Sequence, residues 1–258
     1  VSAERLPHLD VPAHTTRSFR VECGDGRVLK RVIVDREGRA ATIEHAVTAL
    51  SLDALPRLIR RNVKELDFEW LDGEDGVEPS PADAGTFLAR IHAESPDGLV
   101  TEPRLTSEGA WQRLDARRAA LDAVTATALR SWADTHRPKA DAPAVFLHTD
   151  LCPENVVYLN GEMRVVDNGS WSIGPAVYDV ARTWWRWPMQ PAGRRSFRDA
   201  YGPLDPSLPF WIVVAAVGST LYRTGGRADI AEAAHARLAA LVSLVGSSTV
   251  DLFDAAIP

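Results

Sequence analysis

Residues Phe146 to Asp167 read F-L-H-T-D-L-C-P-E-N-V-V-Y-L-N-G-E-M-R-V-V-D. With Val145, the first two residues form an apolar lead-in, and His148 to Glu154 is a polar loop. Val156–Leu159 and Met163–Val166 are β-rich runs joined by Asn160-Gly161, a dipeptide that favours a tight hairpin because both residues tolerate positive φ. The pattern predicts strand, loop, strand, turn, strand. Asp150, Asn155 and Asp167 fall at strand ends, where a hairpin can bring Asn155 back towards Asp167 and hold charges close together.

The spacing of these residues carries chemistry. Asp150 and Asn155 are five apart and Asp167 follows the hairpin, the arrangement of a phosphoryl-transfer loop. In such loops one Asp takes the proton of the attacking hydroxyl, while an Asn and a second Asp hold metal bridging the phosphates. The charge of a triphosphate calls for Mg²⁺, and Mg²⁺ takes hard oxygen ligands. The plain alternative is a surface hairpin with Asp and Asn as local caps.

His148-Thr149-Asp150-Leu151-Cys152-Pro153-Glu154-Asn155-Val156-Val157 resembles the H-G-D-L-x-P-x-N-[VIL] loop of the aminoglycoside phosphotransferase and choline kinase family. Val166-Asp167-Asn168-Gly169-Ser170, Ile173-Gly174-Pro175 and Tyr178-Asp179-Val180-Ala181 resemble that family's next block. Thr149 stands where the family usually has Gly, Asn168 where it has Trp or Phe, and Glu154 where a small residue is common. The resemblance implies a catalytic Asp150, metal ligands Asn155 and Asp167, and support of the loop by His148 and by Asp179, which would bond its backbone.

Composition sets the bounds. The chain has 258 residues, 45% of them hydrophobic, enough for a sizeable core in one large domain or two lobes. Net charge is −6, which argues against a nucleic-acid partner, since phosphate backbones select basic faces. Residues 1–71 hold 12 basic and 11 acidic side chains, and residues 72–258 hold 17 and 24, so the halves carry +1 and −7. Cys23 and Cys152 are far apart and form no Cys-x-x-Cys, so a disulfide framework or zinc site is not expected, and a cytoplasmic setting fits. Val1–Asp10 has no apolar run, so no signal peptide is expected. Pro209–Leu221 is too short to span a membrane and reads as a buried helix.

In the first part of the chain, Arg17–Cys23 and Arg27–Val34 read as strands around Gly24-Asp25-Gly26. Lys30 shares a face with Val28, Val32 and Val34. An unpaired buried ammonium is costly, so this lysine is either the one that holds the α- and β-phosphates or an edge-strand side chain reaching water. No Gly-rich loop and no P-loop are present. In the resembled family, Ser and Thr of the turn before the hairpin serve the phosphates, which here implicates Thr15, Thr16 and Ser18. Ala40–Leu50 reads as a helix, and its Glu44 is a candidate partner for Lys30. Leu66–Leu71 reads as a strand against which adenine would lie, near Phe68 and Trp70. The polar Asp72–Gly76 places a lobe boundary at 71/72.

Beyond it, Ser80-Pro81 with Asp83 signals a helix start. His92 on that helix reads as structural. Ser107–His136, Tyr178–Trp187, Ala192–Tyr201, Pro209–Tyr222 and Arg227–Val245 read as further helices. Candidate acceptor contacts are Glu154, Trp184, Asp199, Asp251 and Asp254. The last two resemble the acidic tail of aminoglycoside kinases.

The expectation is an α+β, bilobal, protein-kinase-like fold, with a small antiparallel-sheet lobe and a larger helical lobe. Its function would be ATP- or GTP-dependent, Mg²⁺-assisted transfer of a phosphoryl group to a small-molecule hydroxyl, aminoglycoside-like or another antibiotic. Sugar or amino-alcohol kinases and a silent pseudokinase are the alternatives. No nucleic-acid or membrane partner is expected, and the oligomeric state is left open between monomer and dimer. The absence of Asp-Phe-Gly and Ala-Pro-Glu after Asp167 argues against a protein kinase.

Overall fold

The computed structural model describes residues 2–5, 16–74, 76–94, 100–223, 228–245 and 253. The chain folds into two compact units. The first is Val1–Pro79 with Asp150–Ser172, and the second is Ser80–Thr149 with Ile173–Pro258. The N-terminal unit thus takes back the hairpin segment, a grouping that a linear cut at 71/72 does not express.

In the first unit, strands β1 (Ser2–Arg5), β2 (Thr16–Glu22), β3 (Val28–Val34), β4 (Leu58–Arg61) and β5 (Glu65–Glu69) form an antiparallel sheet in the order β1-β2-β3-β5-β4. The β2–β3 turn closes with Cys23 N–H donating to Arg27 O at 2.8 Å and with Gly26 at φ 82°. Helix α1 (Glu37–Leu50) buries Ala40, Ile43, Ala46, Val47 and Leu50, the periodicity of one helical face. Strands β1 and β4 were not legible, because both are short and neither alternates cleanly. β3 is central, so Lys30 does not lie on an edge strand.

One face of this sheet holds a buried acid. Asp67, 2% exposed, accepts from Arg31 Nε at 2.7 Å and Nη2 at 3.0 Å, and from Arg60 Nη2 at 2.6 Å. Burial alone would raise its pKa, but the bonds from Arg31 and Arg60 outweigh burial and hold it below the ordinary carboxylate value. A depressed folded pKa gives stability that is present above the unfolded pKa of about 3.9 and lost as pH falls through the folded one. Asp67→Asn is expected to cost about 2 kcal/mol at pH 7, reduced from a fully buried pair because Arg60 is largely exposed. Urea unfolding at stepped pH checks this, since the gap to the parent chain should close below about pH 4.

In the second unit, Ser80 caps α2 (Pro81–Ala93) by accepting from Asp83 N–H at 3.3 Å. The single helix expected over 107–136 is two helices, α3 (Ser107–Arg117) and α4 (Ala123–His136), separated by a 3₁₀ turn at Arg118–Ala120. Asp122 explains the break, because its carboxylate caps Val124 N–H at 3.1 Å and Thr125 N–H at 3.0 Å and restarts the chain. Strand β6 (Ala144–Leu147) leads into the loop of interest, which contains a 3₁₀ turn at Pro153–Asn155. β7 (Val156–Leu159) and β8 (Glu162–Val165) form the expected hairpin, with Asn160 and Gly161 at φ 54° and 74°. β9 (Ser172–Pro175) pairs with β6.

Helices α5 (Ala176–Arg186), α6 (Pro191–Tyr201), α7 (Leu208–Arg223) and α8 (Ala228–Val245) complete the unit. α7 is the core helix, apolar on most sides and burying Phe210, Trp211, Ile212 and Val213 among others. α2 and α6 approach closely at Gly85, where a Cβ would lie 2.4 Å from Phe197 O. Among the described residues no helix is long and apolar enough to cross a membrane.

Candidate active site

The segment that follows the hairpin lies against the sheet of the first unit. Lys30 Nζ donates to Val166 O at 2.8 Å and stands 3.5 Å from Asp167 Oδ1. The lysine side chain is 12% exposed and that of Asp167 26%, so the pair is shielded while the carboxylate still meets solvent. Asn155 Nδ2 donates to Asp150 O at 2.8 Å and to its carboxylate at 3.3 Å. With the amide nitrogen committed there, the amide oxygen is the end able to hold a cation. Among the described residues no group of three or more His, Cys, Asp or Glu could hold a metal. One carboxylate and one amide oxygen fit Mg²⁺, which completes its shell with water and phosphate oxygens.

Residues after Asp167 are clamped. The Gly169 carbonyl accepts from Thr16 Oγ1 at 3.3 Å and from Arg39 Nη2 at 3.1 Å, and Gly169 N–H donates to Asp167 Oδ1 at 3.3 Å. A Cβ on Gly169 would lie 2.7 Å from Thr16 Cγ2, so a larger residue there would have to displace the Thr16 side chain. Asn168, in the place of the family's usual aromatic residue, is buried. It donates to Val165 O at 3.1 Å and accepts from Trp171 Nε1 at 3.1 Å. Trp171 supplies the buried aromatic bulk three residues later.

Glu44 is the correction in this unit. Its carboxylate is bonded to Arg61 Nη1, and Lys30 is given to Asp167 instead. Arg61 lies on β4, a strand not foreseen, and a guanidinium fork competes well for a carboxylate. The link from α1 to the Asp167 loop is Arg39, which sequence reading missed.

The other sheet residues fall as follows. Ser18 is buried opposite Val32. Phe68 is buried opposite Lys30, so any contact with a base there would come from the backbone beside it. Trp70 Nε1 donates to Asp72 Oδ1 at 2.7 Å, and the Arg20 guanidinium lies 5.7 Å from its ring centroid. Thr15 lies outside the described residues.

The second unit braces the residues that precede Asp150. Asp179, fully buried, accepts from His148 N–H at 2.7 Å and Thr149 N–H at 2.8 Å. His92 Nε2 is 3.3 Å from the same carboxylate and Nδ1 is 3.0 Å from Tyr201 Oη. An ionised Asp179 can only accept, which puts the His92 proton on Nε2 and makes Tyr201 the donor to Nδ1. Burial first, then the charges of Asp179 and Asp205, push the Tyr201 phenol above its ordinary pKa and keep that proton in place.

Thr149 sits at φ 60°, a strained value for a β-branched residue, and Arg182 Nε holds its carbonyl at 3.0 Å. Asp179→Ala is therefore expected to cost about 3 kcal/mol, since it removes the acceptor of two backbone donors and of His92. Asp179→Asn should cost less, and urea unfolding of both variants measures the difference.

The proposed acceptor contacts divide. Glu154 and, on α6, Asp199 are exposed. Trp184 is 4% exposed and its indole N–H donates to Phe253 O at 3.0 Å, so it belongs to the core and does not present a face to a ligand. Asp251 and Asp254 lie outside the described residues.

Similarity to known proteins points the same way. Residues 19–211, three quarters of the chain, match the family model described as Phosphotransferase enzyme family. A homoserine kinase of Methylocella silvestris is 28% identical over 186 residues, which cover 67% of this chain. The chain spans only 57% of that relative's length. Among solved structures, an aminoglycoside phosphotransferase APH(4)-Ia mutant has a TM-score of 0.69 at 16% identity, covering 96% of each chain. A choline kinase of Cryptosporidium parvum has a TM-score of 0.65 at 13% identity, covering 98% of this chain and 91% of its own. A macrolide 2'-phosphotransferase of Brachybacterium faecium has a TM-score of 0.59 at 19% identity, covering 88% and 89%. At these identities the solved structures carry the fold, which is α+β and protein-kinase-like.

Proposed function

Because the chain belongs to the phosphotransferase enzyme family, we propose that it moves the γ-phosphoryl group of ATP or GTP to a hydroxyl of a small molecule. The observation that carries this is the set Lys30, Asp167, Asn155 and Asp150, gathered in one compact unit by a hairpin docked on the central strand. In this reading Asp150 takes the acceptor's hydroxyl proton as the new O–P bond forms and the bond to the β-phosphate oxygen breaks. Lys30 steadies the phosphates, and Asp167 and Asn155 hold Mg²⁺, which when bound neutralises the charge of the transferred group. Thr16, Ser18 and the backbone around Phe68 and Trp70 complete the nucleotide side. A cytoplasmic setting belongs to the same proposal, supported by two free cysteines.

The retained set weighs against a silent pseudokinase. Turnover of labelled ATP with and without a panel of hydroxyl acceptors separates the two. Lys30→Ala is expected to raise the KM for ATP and to lower kcat roughly 10- to 100-fold, because a charged contact is worth about 1.5–3 kcal/mol. A kinetically silent substitution would move the phosphate contact elsewhere, with Arg17 and Arg20 of β2 as the next candidates.

For the acceptor, the −7 of residues 72–258 favours a polycation such as an aminoglycoside antibiotic. That is a property of a whole segment. At physiological salt, charges act over about 8 Å, so the groups nearest the catalytic loop weigh more.

A further inference from the structure

Asp167 lies between two pinned carbonyls, and every group that pins them belongs to the first unit. On one side the Val166 carbonyl accepts from Lys30 Nζ at 2.8 Å, and Val166 N–H donates to Asn155 O at 2.9 Å. That backbone bond ties the two proposed metal ligands to one frame. On the other side the Gly169 carbonyl is held by Thr16 of β2 and Arg39 of α1. The Asp167 carboxylate accepts Gly169 N–H on Oδ1, the same oxygen that Lys30 faces. A donor and a cation on one oxygen set how the carboxylate is turned.

Helix formation does not explain Arg39. It stands in the first turn of α1, and the cap residue Arg36 makes no side-chain capping bond. The positive end of the helix dipole disfavours a cation there. What the position reaches is the Gly169 carbonyl, 130 residues away in sequence. Glycine has no side chain to limit its own φ and ψ, so a glycine two residues after a metal ligand needs an outside hold. Helix α1 is a firm mount for one. Its Ala40, Ile43 and Val47 are buried, and Glu44 is bonded to Arg61 of β4. Of the two donors to Gly169 O, Arg39 is charged and at 3.1 Å, while the Thr16 hydroxyl is neutral and at 3.3 Å, so Arg39 is the stronger.

We propose that Arg39 is a positioning residue for the Asp167 carboxylate. By holding the Gly169 carbonyl it keeps Gly169 N–H on Oδ1 and the carboxylate turned for Mg²⁺. This rests on the phosphotransfer reading and adds to its metal site a residue that acts through Asp167. Where Glu44 was expected to couple α1 to Lys30, Arg39 couples α1 to the metal-binding segment through a backbone carbonyl. The effect on chemistry follows from distance, since a misplacement of about 1 Å can cost about 10²-fold in rate.

The test uses the full chain with ATP as the probe, titrated by calorimetry in EDTA and across Mg²⁺ concentrations, so that no acceptor has to be known. Arg39→Gln is expected to leave the affinity in EDTA unchanged and to weaken binding about 10-fold at limiting Mg²⁺, with recovery as Mg²⁺ is raised. Arg39→Lys, which keeps the charge and a donor, should recover part of the loss. In the Asp167→Ala background, Arg39→Gln should add less than about 2-fold, because the residue it acts through is gone. A role confined to stability would cost the same in both backgrounds. In the metal-free protein, hydrogen exchange at the Gly169 amide should speed about 10-fold in Arg39→Gln. Parent-like Mg²⁺ dependence or parent-like exchange in Arg39→Gln, or an equal penalty in both backgrounds, overturns the proposal and leaves the kinase reading standing. If the parent chain itself shows no Mg²⁺-dependent ATP binding, the kinase reading fails and this proposal falls with it.

Discussion

Asp150→Asn is expected to lower kcat by about 10²–10⁴-fold, the usual worth of a general base, while nucleotide affinity stays close to that of the parent chain. The separation follows from the geometry. Asn155 Nδ2 holds the Asp150 backbone carbonyl at 2.8 Å, a contact the substitution leaves in place, so the loop keeps its shape. What is lost is a group that can take a proton. The nucleotide's own contacts, assigned to Lys30 and Asp167, are untouched. Single-turnover rates with a verified acceptor, alongside calorimetry with ATP and Mg²⁺, measure both quantities. A near-normal kcat would remove Asp150 from its role.

Asp167→Ala should lose both quantities together. The carboxylate is the charged member of the proposed Mg²⁺ site and the ion-pair partner of Lys30. Without it the metal keeps an amide oxygen alone from this chain, and several kcal/mol of charge stabilisation disappear, about 10³-fold in rate. Nucleotide affinity should fall by at least about 10-fold and recover in part as Mg²⁺ is raised. Asn155→Ala should show a weaker form of the same loss. Equal ATP affinity in the parent chain and Asp167→Ala at every Mg²⁺ concentration would count against the metal role.

Much of this was present in local pattern. Asn160-Gly161 dictates a hairpin because both residues take positive φ there. Alternation on β3 put Lys30 on one face with Val32 and Val34, and the side chain proved largely shielded. Ser80-Pro81 with Asp83 started α2 where expected. These features depend on neighbours a few residues away, so the chain states them directly. The break between α3 and α4 was also local, but the apolar spacing across 107–136 masked the capping carboxylate of Asp122.

Partner choice across long separations was decided by the tertiary structure. Glu44 had two basic candidates, and β4 pairing beside β5 delivered Arg61 to it, leaving Lys30 to Asp167, 137 positions later in the chain. Trp184 looked available in the sequence, but it is buried and its indole N–H is bonded to the Phe253 carbonyl. Arg39 did not stand out among 29 basic residues. What singles it out is the Gly169 carbonyl, 130 positions later in the chain, which folding sets within reach of α1. A side chain's propensity is set by its own chemistry and its nearest neighbours. Its electrostatic role is set by whichever charges folding brings within a Debye length, and that information lies in the fold.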